Sequence, residues 1–112
     1  MCIFCDICEG KIPSKKVYED DLVLAFDDIN PVAPVHTLVV PKKHFDDIID
    51  LSSNDDGTYL KACMNAVTKV CEEKKLEQGF RVINNCRENG AQSVMHVHFH
   101  IIGGLKLSEK ML

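Results

Sequence analysis

The sequence predicts an α+β domain: five strands in a mainly antiparallel sheet, one long helix and a short helix near the N-terminus. Three observations carry this. Apolar side chains recur at helical spacing at Leu60, Cys63, Met64, Val67 and Cys71. From Val94 to Ile102, His96, His98 and His100 alternate with Val97, Phe99 and Ile101, which is the period of two that belongs to a strand. The other apolar runs are short and separated by turn formers in the order βββ(α)αββ. No repeat, low-complexity tract or linker interrupts them. The 112 residues therefore read as a single domain over 1–112, large enough to bury a real core.

In chain order, residues 3–10 suit a short helix with Ile3, Phe4 and Ile7 on one side, ended by Gly10 and Pro13-Ser14. Val17–Glu19 and Leu22–Phe26 make a hairpin across Asp20-Asp21. Asp27 to Pro34 is a loop whose two prolines bias the preceding residues to extended shapes. His36–Val40 is a third strand, closed by Pro41, and Lys42-Lys43-His44 leads into a short apolar-polar segment, Phe45 to Leu51. The long helix follows. Ser53 with Asp56 three residues on resembles a capping pattern, while Lys74-Lys75 and then Gly79 suit its C-terminal end. Phe80–Asn85 is a fourth strand. The loop 86–93 carries an Asn-Gly turn signal, and Val94–Ile102 is a fifth strand broken by Gly103-Gly104.

Composition excludes several classes. With 46% hydrophobic and 27% charged residues and a net charge of −4, neither a nucleic-acid polymer nor an acidic membrane is the expected partner. No apolar run approaches the roughly 20 residues of a membrane span. The start, Met1-Cys2-Ile3-Phe4-Cys5-Asp6, has no secretion-signal character, so a cytoplasmic location, or a nuclear one, is expected. In that setting six cysteines are not a disulfide framework. Cys63 and Cys71 fall on the helical stripe as small hydrophobes, and Cys86 has no evident role.

Three same-face imidazoles on one apolar strand are hard to explain by packing, because each buried ring needs a hydrogen-bond partner. An exposed polar strand that happens to carry histidine is the plain alternative. A neutral imidazole has one free lone pair, and the partner of the other nitrogen decides which. The chemistry open to it is metal ligation, acid–base transfer or nucleophilic attack. Cys2-x-x-Cys5 has the spacing of a thiolate zinc pair, which His44 and one triad histidine could complete, but Cys5-x-x-Cys8 is spaced alike. There is no phosphate loop of the G-x-x-x-x-G-K type and no G-x-G-x-x-G after a strand. The loop 89–93 could still offer backbone N–H groups, Gln92 and Ser93 to an anion.

His-Val-His-Phe-His-Ile-Ile over 96–102 fits the H-φ-H-φ-H-φ-φ signature of the histidine-triad (HIT) superfamily, φ being apolar. Ile3-Phe4 with Ile7, Ile12-Pro13, Tyr18-Glu19-Asp20, Ala25–Ile29, Ala33–His36, Val40–His44 and Gly90–Ser93 extend the match. Together they resemble the Hint branch, the histidine-triad nucleotide-binding proteins. That resemblance implies a HIT-like fold, paired through the long helix and the Phe80–Asn85 strand into a homodimer with a continuous sheet. It also implies a purine nucleoside phosphoramidase. His98 would be the nucleophile that forms a nucleotidyl-histidine, with His100 and His36 supporting the phosphate and the imidazole network. Asn85, the Ala91 backbone, Gln92 and Ser93 would hold phosphate oxygens or the leaving amine. Asp28 would accept the ribose hydroxyls, and Ile3, Phe4, Ile7 and Ile29 would sandwich the base. A structural zinc would sit on Cys2, Cys5, His44 and His96, and the chemistry itself would need no metal. Two departures stand out: Ala91 replaces the glycine of many Hint proteins, and the tail Leu105–Leu112 lacks the Trp- and Pro-containing end of animal members. The rival readings are a dinucleoside polyphosphate hydrolase of the same superfamily and a non-catalytic nucleotide- or zinc-binding module.

Overall fold

The computed structural model describes residues 2–112. Its elements in order are α1 (Ile3–Cys8), β1 (Lys16–Glu19), β2 (Val23–Asp27), β3 (Val35–Pro41), α2 (Ile48–Asn54), α3 (Thr58–Lys74), β4 (Arg81–Ile83) and β5 (Phe99–Gly103). The strands form one five-stranded sheet in the order β1-β2-β3-β5-β4, and every neighbouring pair is antiparallel. The expected α+β class, the long helix and the short first helix are all present.

The two faces of the sheet are used differently. On one, Ala62, Cys63, Ala66 and Val70 of α3 pack against Val23, Ala25, Val39, Val97, Phe99 and Ile101. On the other, Phe4 and Ile7 of α1 pack against Leu24, Phe26, Leu38 and Val40. Cys63 is fully buried and its thiol is pushed up to about 12 by burial, so it packs as a small hydrophobe. The stripe read from the sequence is therefore only half a core stripe. Leu60 and Met64 of α3 remain exposed, as do Val82 and Ile83 on the edge strand β4.

Three local expectations are corrected. Ser53 ends up inside α2, so it does not cap the long helix. The N-cap of α3 is Gly57 at φ 105°, and the freed donors find Asp55, whose carboxylate accepts from the N–H groups of Tyr59 and Leu60. A glycine with φ > 0 permits that sharp entry from α2. The fourth strand is three residues long, not six; just past its C-terminal end the side chain of Asn84 donates to the carbonyl of His98 at 2.9 Å. The fifth strand is laddered only from Phe99. Its β3 partners run from Val35 to Val39; beyond them the N–H of Val97 is taken by the carbonyl of Phe45 at 2.7 Å, and Pro41 offers no N–H.

Candidate active site

The central pairing of β3 with β5 builds the site. Leu38 faces His100 and His36 faces Ile102 in the register, which sets His36 and His100 diagonally across the two strands. Their rings meet, with His36 Nε2 2.9 Å from His100 Nδ1. His36 is buried, and its Nδ1 accepts from the backbone N–H of Val32 at 3.1 Å. Asp28 stands over the same junction, with Oδ2 3.5 Å from His36 Nε2. An Asx turn holds that carboxylate, since Oδ1 accepts from the N–H of Asn30.

His98 is 3% exposed. Its Nδ1–H donates to the carbonyl of His96 at 2.8 Å, which leaves the lone pair on Nε2. The Phe4 ring stands edge-on to it at 5.1 Å, and the His100 ring lies 5.1 Å away on the other side. Burial holds His98 below the usual imidazole range, and burial followed by the neighbouring rings of His98 and His36 brings His100 to about 4. Both rings are therefore neutral near pH 7. They open onto a cavity of about 230 Å³ whose apolar walls are Ile3, Phe4, Ile7, Phe26 and Leu38. Asp28 and the 91% exposed Ile29 form one rim, and Ser93 with Val94 another.

Cys2, Cys5, His44 and His96 place their donor atoms within 4.8 Å of one another. Cys2 Sγ and Cys5 Sγ lie 3.3 and 3.5 Å from His96 Nδ1, and Cys5 Sγ lies 3.4 Å from His44 Nδ1. A tetrahedral zinc site requires donors roughly 3.5 Å apart, given bonds of about 2.3 Å to sulfur and 2.0–2.1 Å to nitrogen. The remaining ring nitrogens are already committed, His96 Nε2 to the carbonyl of Pro41 at 2.8 Å and His44 Nε2 to Asp46 at 2.7 Å. Carbonyl and carboxylate partners of this kind orient metal-binding imidazoles. Cys8 lies outside the set, so of the two C-x-x-C readings the donor geometry fits Cys2 with Cys5. The other cluster of potential ligands, Asp28, His36 and His100, spends its nitrogens on the 2.9 Å ring–ring bond and so is an imidazole chain instead of a cage.

A sequence profile described as the HIT domain matches residues 9–107. The chain belongs to the HIT family. A HIT-like protein of Methanocaldococcus jannaschii, itself uncharacterised, is 47% identical over 103 residues, which is 91% of this chain and 78% of that protein. A histidine triad protein from Clostridium difficile superposes with a TM-score of 0.90 at 52% identity, covering 97% of this chain and 95% of that one. A HIT family hydrolase from Legionella pneumophila gives 0.89 at 40% identity, covering 97% of both chains.

In this HIT protein the loop before the histidine segment is held from within. Gln92 is buried; its Oε1 accepts from the N–H of Arg87, and its amide donates to the carbonyls of Asp46 and Val94. Arg87 also reaches Asp47, the N-cap of α2, at 2.8 Å. Asn85 donates to the carbonyl of Gly90. Gln92 and Asn85 thus brace the loop and do not line the cavity, whereas Ser93 does. Ala91 sits at φ 58°, a conformation costing an L-residue about 1–2 kcal/mol. Ala91→Gly is expected to stabilise the fold by up to about 1 kcal/mol after glycine's extra unfolded-state entropy is subtracted. Urea unfolding reads this, and a lower midpoint would show that Ala91 is unstrained.

Ile3, Phe4, Ile7, Asp28, Ile29, Ser93, His98 and His100 therefore meet around one cavity, and His36 stands directly behind His100. The sequence did not mark Phe26, Leu38 or Asn84, whose places depend on which strands pair and in what register. The lowered His100 also predicts a pH dependence. Its folded pKa lies below the unfolded one, so the unfolded chain binds more protons between about pH 6.5 and 4. Stability is accordingly complete above that window and lost as pH falls through it. Urea midpoints measured across the window should fall less steeply in His100→Asn than in the wild type. Equal slopes would refute the assignment.

Proposed function

We propose that this HIT protein is a hydrolase of nucleoside 5′-phosphoramidates, a purine nucleoside phosphoramidase working through a nucleotidyl-histidine. The observation that carries the reading is the free Nε2 lone pair of a buried, neutral His98 at the wall of a nucleoside-sized apolar cavity. His98 Nε2 attacks the α-phosphorus, a new N–P bond forms, and the P–N bond to the amine breaks. The amine leaves with the bonding pair and takes up a proton. Water then attacks the same phosphorus, the bond to His98 breaks, and nucleoside monophosphate is released. Two easier displacements replace one difficult one. In this reading Asp28 accepts ribose hydroxyls, the walls formed by Ile3, Phe4 and Ile7 sandwich a purine, and Ser93 donates to a phosphate oxygen or the leaving group.

Cys2, Cys5, His44 and His96 would hold zinc as a closed four-ligand structural site with no open position for water. It would tie α1, which carries Phe4 and Ile7, to the segment that carries His98. A homodimer is the second part of the reading. It is supported by exposed Leu60 and Met64 on α3 and exposed Val82 and Ile83 on the short edge strand β4, since edge strands are usually managed by cover or pairing. Light scattering at micromolar concentration should give twice the chain mass, and a monomer alone would sink the dimer.

A panel of adenosine and guanosine phosphoramidates run beside diadenosine polyphosphates tests the activity. Faster turnover of the phosphoramidates is expected. Preferential cleavage of the polyphosphates would assign the rival reaction, and nucleotide binding without any turnover would leave a binding module.

A further inference from the structure

We propose that the backbone N–H of Val32 is a positioning group for the reaction: acting through His36, it fixes His100 in the tautomer that presents an N–H donor to the phosphoryl group. The proposal deepens the phosphoramidase reading and rests on it for the identity of the acceptor. Val32 N–H donates to His36 Nδ1 at 3.1 Å. A ring that accepts at Nδ1 carries its proton on Nε2. His36 Nε2 lies 2.9 Å from His100 Nδ1, so His36 donates there and His100 accepts. The proton of His100 is then left on its own Nε2. The Asp28 carboxylate, 3.5 Å from His36 Nε2, favours the same placement.

His98 is wired the opposite way. Its Nδ1–H goes to the carbonyl of His96, so its free Nε2 is a lone pair. Two rings with centroids 5.1 Å apart therefore present a nucleophile and a donor side by side, as displacement at phosphorus requires. In its other tautomer His100 would turn a lone pair toward phosphate oxygens and repel them. Val32 lies on the loop between β2 and β3 that also carries Asp28 and Ile29. The segment read as gripping the nucleoside would thus also set the polarity of His100. An amide N–H suits the task because it neither titrates nor accepts.

Ring 15N NMR above neutral pH tests this directly, because protonated and unprotonated imidazole nitrogens differ widely in shift. In the wild type, His36 and His100 should be protonated on Nε2 and His98 on Nδ1. Val32→Pro deletes the single N–H; His100 should then lose its single tautomer and kcat should fall on the order of tenfold to 10²-fold, with KM changed far less. Val32→Ala keeps the N–H and should keep the tautomer. If the proline variant does not fold, the wild-type spectrum and a second pair decide. His36→Gln can still donate to His100 Nδ1 and should preserve its tautomer, whereas His36→Phe should not. A wild-type His100 protonated on Nδ1, or a His100 tautomer unchanged in His36→Phe, overturns the proposal. Absence of phosphoramidate turnover in the wild type would overturn the functional reading instead, and the ring spectrum would still be read.

Discussion

His98→Ala is expected to abolish phosphoramidate turnover while the chain stays folded and still binds AMP. The imidazole contributes the only lone pair in the triad that is both free and at the cavity wall: His96 points into the cysteine cluster, and His100 is committed to His36. Without it no covalent intermediate forms, and losing a nucleophile of this kind costs at least about 10⁴-fold in kcat. Ser93→Ala should cost far less, on the order of the 10²-fold typical of one acid–base or oxyanion contact. The fold should survive because the apolar clusters on both sheet faces keep all of their own side chains. The stability lost is about 1–3 kcal/mol, set by the His96 carbonyl left without its donor. Single-turnover quench with intermediate trapping separates the cases. If the variant retains more than about 1% of the wild-type rate, the nucleophile is another group.

Cys2→Ser combined with Cys5→Ser should remove bound zinc and several kcal/mol of stability. Metal-binding free energy becomes folding free energy where ligands come from distant parts of the chain. Here Cys2 and His96 are separated by 94 positions. A helix of six residues is too short to persist alone, so α1 and its Phe4 wall should loosen and nucleotide binding weaken. The chemical step should suffer least: EDTA in the assay should leave initial rates nearly unchanged. Elemental analysis should find about one zinc per chain in the wild type and little in the variant. Wild-type protein grown in zinc-supplemented medium but carrying none would mean that the cysteines only pack.

The strands, the long helix and the histidine segment were legible because each is a periodic pattern carried by the side chains themselves. Alternation alone put Val97, Phe99 and Ile101 in the α3 core and the histidines on the other face. What stayed hidden depends on partners distant in sequence. Gln92 was expected to hold phosphate, yet its buried amide is taken up by the carbonyls of Asp46 and Val94 and the N–H of Arg87. No local pattern announces a main-chain partner 46 residues away. Ser53 with Asp56 spelled a cap, but Asp55 and Gly57 gave a better one once α2 existed. The apolar stripe at Leu60 and Met64 was visible in the sequence; that it faces outward was not.

The hydrogen bonds that aim His36, His96 and His98 are all made to main-chain atoms: the Val32 amide, the Pro41 carbonyl and the His96 carbonyl. A saturating mutational library should show the imprint. Apolar exchanges at the exposed Met95 leave every one of those atoms in place and should be broadly permitted. A deletion or insertion of one residue between 94 and 99 rotates the rings onto the opposite face, however conservative the residue added or lost. The site should therefore tolerate changes of spelling and reject changes of length.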